Sequence, residues 1–442
     1  MCFTVSGYSQ AIQALRYDDD FSYLKDDSLR KHQLHLKYMK LANGTYLSIG
    51  GELRQQVMHY QNISFGEIPS SFTTPSTWQT LHRTMLHMNF EAGKHVRVFT
   101  QLYNSIRFIN PNPRSVVDEN DLDLLQAFVD IKPLKNITLR FGRQEFLFGK
   151  EKFISVREGP NNQQSFDAAT FKYNSGKINA DMYYARQVIP SKAVFDDRHS
   201  DEYITGVYTR FTAIPKWALL EVFFHAFGSD SRTYNFTTGR EKRNTVGFRA
   251  YSANKKFNYD LESAIQRGTF TNKKINAYFV SYDINYLAGK KWQAGLAGNI
   301  VTGDKDPNDN MVNTYNTMFG KPPFGQAAGQ GLSNTKNYNP YLRLYLNPDL
   351  NILGGVSVLK RESNKDAIYT NGMRATRPAQ DKLLEYSSSK IGQIYNVDIN
   401  IKFNNNLTSV VQYATFIAND FIKQSGKSNE VSFLSMKGAY RF

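Results

Sequence analysis

Apolar and polar residues alternate singly through most of this chain, from about Leu47 to the last residue. Early on, Ile49, Leu53 and Val57 alternate with Glu52, Arg54 and Gln56. Further along, Val96, Val98 and Leu102 alternate with Arg97, Phe99 and Gln101. A period of two marks a strand with two unlike faces. The strands run to about ten residues, joined alternately by about three to five and about six to thirty-five residues, the asymmetry of an outer-membrane barrel. The short connections carry turn residues: Ala92-Gly93-Lys94, Lys132-Pro133-Leu134-Lys135, Asn174-Ser175-Gly176, Ala213-Ile214-Pro215-Lys216, Ala253-Asn254-Lys255-Lys256, Ala288-Gly289-Lys290, Asn347-Pro348-Asp349 and Asn404-Asn405-Asn406.

These turns predict an all-β fold, a single up-and-down antiparallel transmembrane β-barrel of about eighteen strands over residues 46–442. The strands centre near residues 53, 85, 100, 126, 140, 169, 182, 206, 222, 248, 262, 279, 296, 342, 355, 396, 412 and 436. Long loops are expected near 61–78, 105–120, 146–163, 188–200, 228–242, 303–337, 360–389 and 418–429, with a shorter one near 268–273. The chain closes on Leu434, Met436, Gly438, Tyr440 and Phe442 of one face and Ser435, Lys437, Ala439 and Arg441 of the other. A terminal Phe442 after such alternation resembles the signature by which barrel-assembly machinery recognises its clients, so that machinery is an expected partner.

Residues 11–45 are polar and charged and form an expected periplasmic or plug segment, with a short helix near Ser28 to Met39. Residues 1–10 look like the remnant of a secretory signal peptide. Cys2, the one cysteine, excludes an intrachain disulfide. No apolar run is long enough for a spanning helix, and in a barrel the lumenal residues dilute the hydropathy. The aromatic load of 27 Tyr and 31 Phe suits interfacial girdles facing outer-membrane lipid.

The formal charge of +15 points to an anionic partner. Nucleic acid is not that partner, because the cations are scattered singly through strands and no helix-turn-helix, zinc-finger or RNP pattern occurs. Nothing suggests an enzyme, a cofactor or a metal centre: the eight histidines are dispersed, and no HExxH, GxSxG or P-loop appears. A hydrolytic role for His82 or His225 has only a lone histidine behind it. The acidic run Asp304 to Asp309 offers oxygen ligands for calcium but lacks EF-hand spacing and reads better as a solvated loop.

Strand phase puts Arg83 with His87, Arg97 with Gln101, Arg249 opposite Val246 and Phe248, Glu262 opposite Leu261, and Arg343 opposite Leu342. An Arg or Lys costs about 2–4 kcal/mol on the lipid face at mid-membrane, so these polar faces point inward. Inward arginines can grip carboxylates with a planar fork. The same pattern also fits a ladder in which Arg and Glu, such as Arg54 and Glu52, neutralise one another and brace the wall.

The stretch Arg140-Phe-Gly-Arg143-Gln144, followed by Gly159-Pro160-Asn161-Asn162 and Ser165-Phe166-Asp167, resembles the Gly-Arg-Gln to Phe-Asp region of alginate-export outer-membrane proteins. Gly51-Glu52-Leu53-Arg54, His95-Val-Arg97-Val-Phe99-Thr-Gln101, Asp420-Phe421 and the terminal Arg441-Phe442 are similar too. The resemblance implies a monomeric eighteen-stranded barrel with an arginine-rich constriction for an acidic polysaccharide. By motif it carries a pore role to Arg54, Arg97 and Arg143; Arg83, Gln101, Arg249 and Arg343 join them on strand phase. Glu52, Asp167 and Glu262 become lumenal carboxylates supporting the arginines. Arg140 and Arg143 cannot both face inward without a bulge. The expected function is an outer-membrane channel of a Gram-negative bacterium for an anionic polysaccharide or sugar acid, fed by a periplasmic scaffold. Its rivals are a general or small-anion porin and a non-conducting surface-binding barrel.

Overall fold

A computed structural model of the protein describes residues 13–25, 36–115, 117–212, 218–252, 256–325 and 329–442. Alternation becomes strand through the first half as β1 (Thr45–Gln61), β2 (Thr77–Ala92), β3 (Val96–Phe108), β4 (Asn120–Leu134), β5 (Ile137–Gln144), β6 (Phe166–Asn174), β7 (Ile178–Ile189), β8 (Arg198–Phe211) and β9 (Leu219–Tyr234). The second half contributes β10 (Thr237–Tyr251), β11 (Phe257–Phe270), β12 (Lys273–Ala288), β13 (Trp292–Val301), β14 (Thr335–Asn347), β15 (Leu350–Arg361), β16 (Lys390–Lys402), β17 (Leu407–Ala418) and β18 (Val431–Arg441). Every expected centre falls inside one of them.

Each strand pairs antiparallel with the next, and β1 pairs with β18 from Glu52↔Arg441 to Gln61↔Ser432. The result is a closed barrel of 18 strands. Closure leaves no edge whose backbone groups would be unsatisfied in hydrocarbon. The apolar faces point out: Leu53, Val246, Phe248, Ile265, Leu342 and Met436 are exposed, while Arg54, Arg249 and Gln266 beside them are buried. Trp292, Tyr286, Phe257 and Tyr440 ring one end, and Trp78, Phe108, Tyr338 and Tyr395 ring the other.

Two long loops fold into the barrel. The loop 145–165 places Phe146, Phe148, Phe153 and Ile154 in one apolar cluster with wall residues Tyr183, Tyr208, Phe223 and Phe279, which Tyr315, Met318 and Phe319 of the loop 302–334 join. The lumen beside β6–β13 is therefore largely filled. The expected long loop at 228–242 is instead the tip of a hairpin: β9 and β10 continue past it and turn at Asn235 and Phe236, whose φ of 43° and 66° suit a tight left-handed turn. Its Ser, Thr and Arg residues look loop-like in sequence but pair, through a bulge between Ser229 and Arg232, to Tyr234↔Thr237.

The turns at 213–217 and 253–255, the signal remnant 1–10 and most of the helix expected over Ser28 to Met39 lie outside the described residues; Met39 itself begins a short strand, Met39–Ala42, paired with β1. Within the loop 302–334, the Asp306 and Asp309 carboxylates accept from the backbone amides of Asn308 and Met311, two residues on, so both cap local turns.

Candidate functional site

The inward face of β1, β2 and β18 carries Arg54, Arg83, Lys437, Arg441 and Glu52. Arg54 stands directly opposite Arg83 in the β1–β2 register, a like-charge pair that is unfavourable by itself. Two carboxylates resolve it. Glu52 accepts from Arg83 at 3.0 and 2.5 Å and from Arg441 at 2.7 Å. Glu158, delivered by the loop 145–165, accepts from Arg83 at 2.9 Å and lies 3.6 Å from Arg54. Burial alone would raise the Glu158 carboxyl, but Arg83 and Arg54 hold it below its ordinary range. Arg54 donates to the carbonyls of Glu158 and Pro160, both at 2.8 Å, and to Asn161 Oδ1 at 3.0 Å. Asn161 in turn donates to the carbonyls of His82, Ile106 and Asp118. This lattice clamps the loop against the wall. Lys437, within the field of Glu158 and Arg54, makes no ion pair among the described residues.

Next along the wall, Arg140 donates to Asp130 at 2.7 and 3.0 Å, and Arg97 lies 3.7 Å from the same carboxylate. Arg97 also donates to Asn89 and to the carbonyl of Tyr17. Tyr17 is buried edge-on against Phe99 and Phe128 beneath the Arg140 guanidinium, its hydroxyl donating to the Glu145 carbonyl at 3.0 Å. The N-terminal segment thus covers Arg97 from inside. Gln101 lies two inward positions beyond Arg97 and accepts from Gln126 at 2.7 Å; Gln126 also donates to Glu145 at 2.8 Å. Burial, with Glu158 nearby, pushes the Glu145 carboxyl up to about 8.

Arg249 is inward and doubly neutralised, by Asp260 at 2.6 and 2.8 Å and Glu221 at 2.9 Å. Glu262 is buried beside it, in the field of Lys152 from the inner loop. This sector is the braced ladder of the alternative reading. Arg343 differs: it donates to Asn351 at 3.2 Å and pairs with no carboxylate among the described residues. Its sector, along β12–β17, is lined by the half-buried Asp283, Asn285, Gln293, Tyr341, Asp398 and Gln412.

Arg143 does not join the lumenal set. Arg140 and Gln144 are buried inward, and Arg143 takes the opposite phase, with the exposed Phe141. Its guanidinium lies in the wall, donating to the Leu124 carbonyl at 3.1 Å, to Asp167 at 2.9 Å and to Asp197 at 2.6 Å. Asp167 is likewise in the wall, bonded to Arg143 and to His199 at 2.5 Å. No bulge interrupts Leu139 to Gln144, so Arg140 and Arg143 take opposite faces; a register slip lies instead on β4, where Leu125 and Gln126 are both buried.

Sequence reading missed Lys437, Arg441, Arg140, Glu158, Asn161 and Tyr17 as members of the site. Strand phase alone would have found the first three. Nothing in a loop sequence says which residue enters a lumen. His225, buried in the wall with Tyr183 at 2.5 Å, belongs to the aromatic packing.

At the end of the barrel that carries the long loops, Tyr60, Phe65, Gln330, Thr370, Arg374 and Arg377 line a cavity of about 530 Å³. The wall below it offers guanidinium forks, amides and hydroxyls to whatever occupies the water there.

Among solved structures the chain is similar to Pseudomonas aeruginosa OccK11 (OpdR), at 12% identity and a TM-score of 0.57, covering 90% of this chain and 96% of that one. It is similar to Pseudomonas aeruginosa OccK2 (OpdF) in complex with glucuronate, at 9% identity and a TM-score of 0.59, covering 90% and 96%. It also resembles Acinetobacter baumannii OccAB1, at 9% identity and a TM-score of 0.62, covering 90% and 96%. At such identity these show a common fold. No curated protein matches the sequence. The alginate export family model matches residues 45–433, nearly the whole barrel. The chain therefore belongs to the alginate export family of outer-membrane β-barrel proteins.

Proposed function

We propose that the protein is a passive channel in the outer membrane of a Gram-negative bacterium for an acidic saccharide, either an anionic polysaccharide or a uronate-type sugar acid. The observation that carries this reading is the unevenness of the lumen. On β1, β2 and β18, Arg54, Arg83 and Arg441 share the two carboxylates Glu52 and Glu158, and Lys437 adds a fourth cation that makes no ion pair among the described residues. Across the barrel the half-buried wall carries amides and tyrosine hydroxyls with Asp283 and Asp398, and Arg343 forms no ion pair among the described residues. A cation surplus in a narrow, low-dielectric passage concentrates anions. Amides and tyrosine hydroxyls exchange hydrogen bonds with successive sugar hydroxyls, so a chain can pass without leaving polar groups bare. Family membership and the glucuronate-bound neighbour favour the same substrate class.

In this reading Arg343, Lys437 and Arg441 line the path; Arg54 and Arg83 are buried and hold the inner loop to the wall, Gln101 is buried with them, and Arg97 lies beneath the N-terminal segment. Arg249, with Glu262 beside it, braces the wall, as Glu52 does. Residues 11–45 act as a plug, through the Tyr17 contacts, and 46–442 form the barrel. The protein works as a monomer, Phe442 directs assembly, and a periplasmic scaffold presents the polymer.

A small-anion porin is the second reading, favoured by how much of the lumen the inner loops fill. Single-channel recording separates the two. Anion selectivity blocked by oligouronates but not by neutral oligosaccharides is expected, and Lys437→Glu should move the reversal potential toward cations. Anion flow indifferent to oligouronates would select the porin. No conductance, or a reversal potential unmoved by Lys437→Glu, would refute a cationic throat.

A further inference from the structure

The barrel wall has a gap. β5 and β6 end early, at Gln144 and Phe166, because the chain between them turns into the lumen. The upper edge of β4 is left without its hairpin partner. The connection between β7 and β8 fills the space in parallel: Leu122 bridges Val194, Asp121 N donates to the Lys192 carbonyl at 2.7 Å, and Phe195 N donates to the Leu122 carbonyl at 3.0 Å.

Where this patch meets β4, the carboxylates of Asp123, Asp196 and Asp197 present oxygens all within 4.8 Å of one another. Crowding of this kind is unfavourable unless something positive shares the site. The cation at hand is Arg143, 2.6 Å from Asp197 and 3.8 Å from Asp123, but it also serves Asp167 at 2.9 Å. Asp123 is 2% exposed; Oδ1 accepts from Leu124 N, and Oδ2 is buried with no hydrogen-bond partner. A buried carboxylate oxygen without a donor is costly. Next to it, Asn120 donates to Tyr103 and to the Ser191 carbonyl and likewise keeps Oδ1 buried without a partner.

We propose that Asp123, Asp196 and Asp197 form a calcium-type divalent-cation site that seals the gap between β4 and the β7–β8 connection. Ca²⁺ bonds of about 2.4 Å let oxygens up to about 4.8 Å apart share one ion, and these three carboxylates lie within that limit. Mg²⁺ demands shorter bonds and stricter octahedral geometry. Water and backbone carbonyls complete the shell. The bound ion offsets the surplus negative charge and gives Asp123 Oδ2 its missing partner. It ties the connection to the wall at the rim where the long loops emerge, independently of what the channel carries.

The test uses the full barrel in detergent, stripped with chelator and titrated with Ca²⁺ by calorimetry. One saturable site is expected. Asp196→Asn, an exposed change that spares the fold, and Asp123→Asn should each weaken it about tenfold or more, whereas Asp306→Asn should leave it unchanged. Heat-modifiable mobility on gels checks that each variant is a folded barrel. Absence of saturable binding below about 10 mM Ca²⁺, beyond the weakest extracellular modules, would overturn the proposal. So would binding that Asp196→Asn leaves intact.

Discussion

Replacing Arg54 with Met should unlatch the 158–160 turn of the loop 145–165 and leave the barrel standing. Arg54 is fully buried and makes three hydrogen bonds to that loop, at 2.8, 2.8 and 3.0 Å, besides the 3.6 Å approach to Glu158. Bonds from a charged donor are worth about 1.5–3 kcal/mol each. Water entering the lumen recovers much of that, and Met refills the volume, so a net loss of about 3 kcal/mol for the latch is reasonable. At 1.4 kcal/mol per decade, the population of the released loop rises about a hundredfold. Asn161 keeps its own bonds to His82, Ile106 and Asp118, so release is confined to the 158–160 turn. The assay is single-channel recording at fixed salt. Wild type should give steady conductance, and Arg54→Met larger and flickering conductance. Arg54→Lys keeps the charge but loses the fork, so it should flicker while preserving selectivity. If Arg54→Met conducts as quietly as wild type while Asn161→Ala does not, the arginine is not the latch.

Two further predictions concern groups that the inner loop and the N-terminal segment bring inside. Glu145 is raised from its ordinary 4.5 to about 8 by burial, so the folded state keeps a proton that the unfolded chain releases; stability is therefore lost as pH rises from about 4.5 to about 8. Glu145→Gln should flatten that pH dependence of the thermal midpoint; a slope equal to wild type would rule Glu145 out as its source. Tyr17→Ala removes the buried ring that holds the N-terminal segment to Phe99, Phe128 and Arg140, a loss of about 3–5 kcal/mol by analogy with other buried aromatics. Trypsin should then cut at Arg16 faster and conductance should rise; unchanged protection would mean that the segment is held elsewhere.

Alternation, turn residues and the terminal Phe442 sufficed for the closed barrel and for each strand, because the pleat forces every second side chain to one face and hydrocarbon penalises charge on the other. The inward placement of Arg54, Arg83, Arg97, Arg249 and Arg343 followed from that rule. Which of them is free did not. Pairing partners come from neighbouring strands and from loops, so the neutralisation of Arg249 by Asp260 and Glu221, and the lack of an ion pair at Lys437 among the described residues, exist only in three dimensions. Arg143 shows the limit most plainly. Its motif resembled a pore residue, but Gly142 adopts φ of 125° where a Cβ would lie 2.3 Å from the Ala127 carbonyl oxygen, and β5 ends two residues later. Alternation from the inward Arg140 puts Arg143 in the wall, and the early ending of β5 opens the gap beside Asp123. The inward folding of loops 145–165 and 302–334 was likewise beyond sequence reading, since a loop has no period to say which way it faces. Composition and alternation made the cylinder; the contacts of its loops decided what the cylinder leaves open.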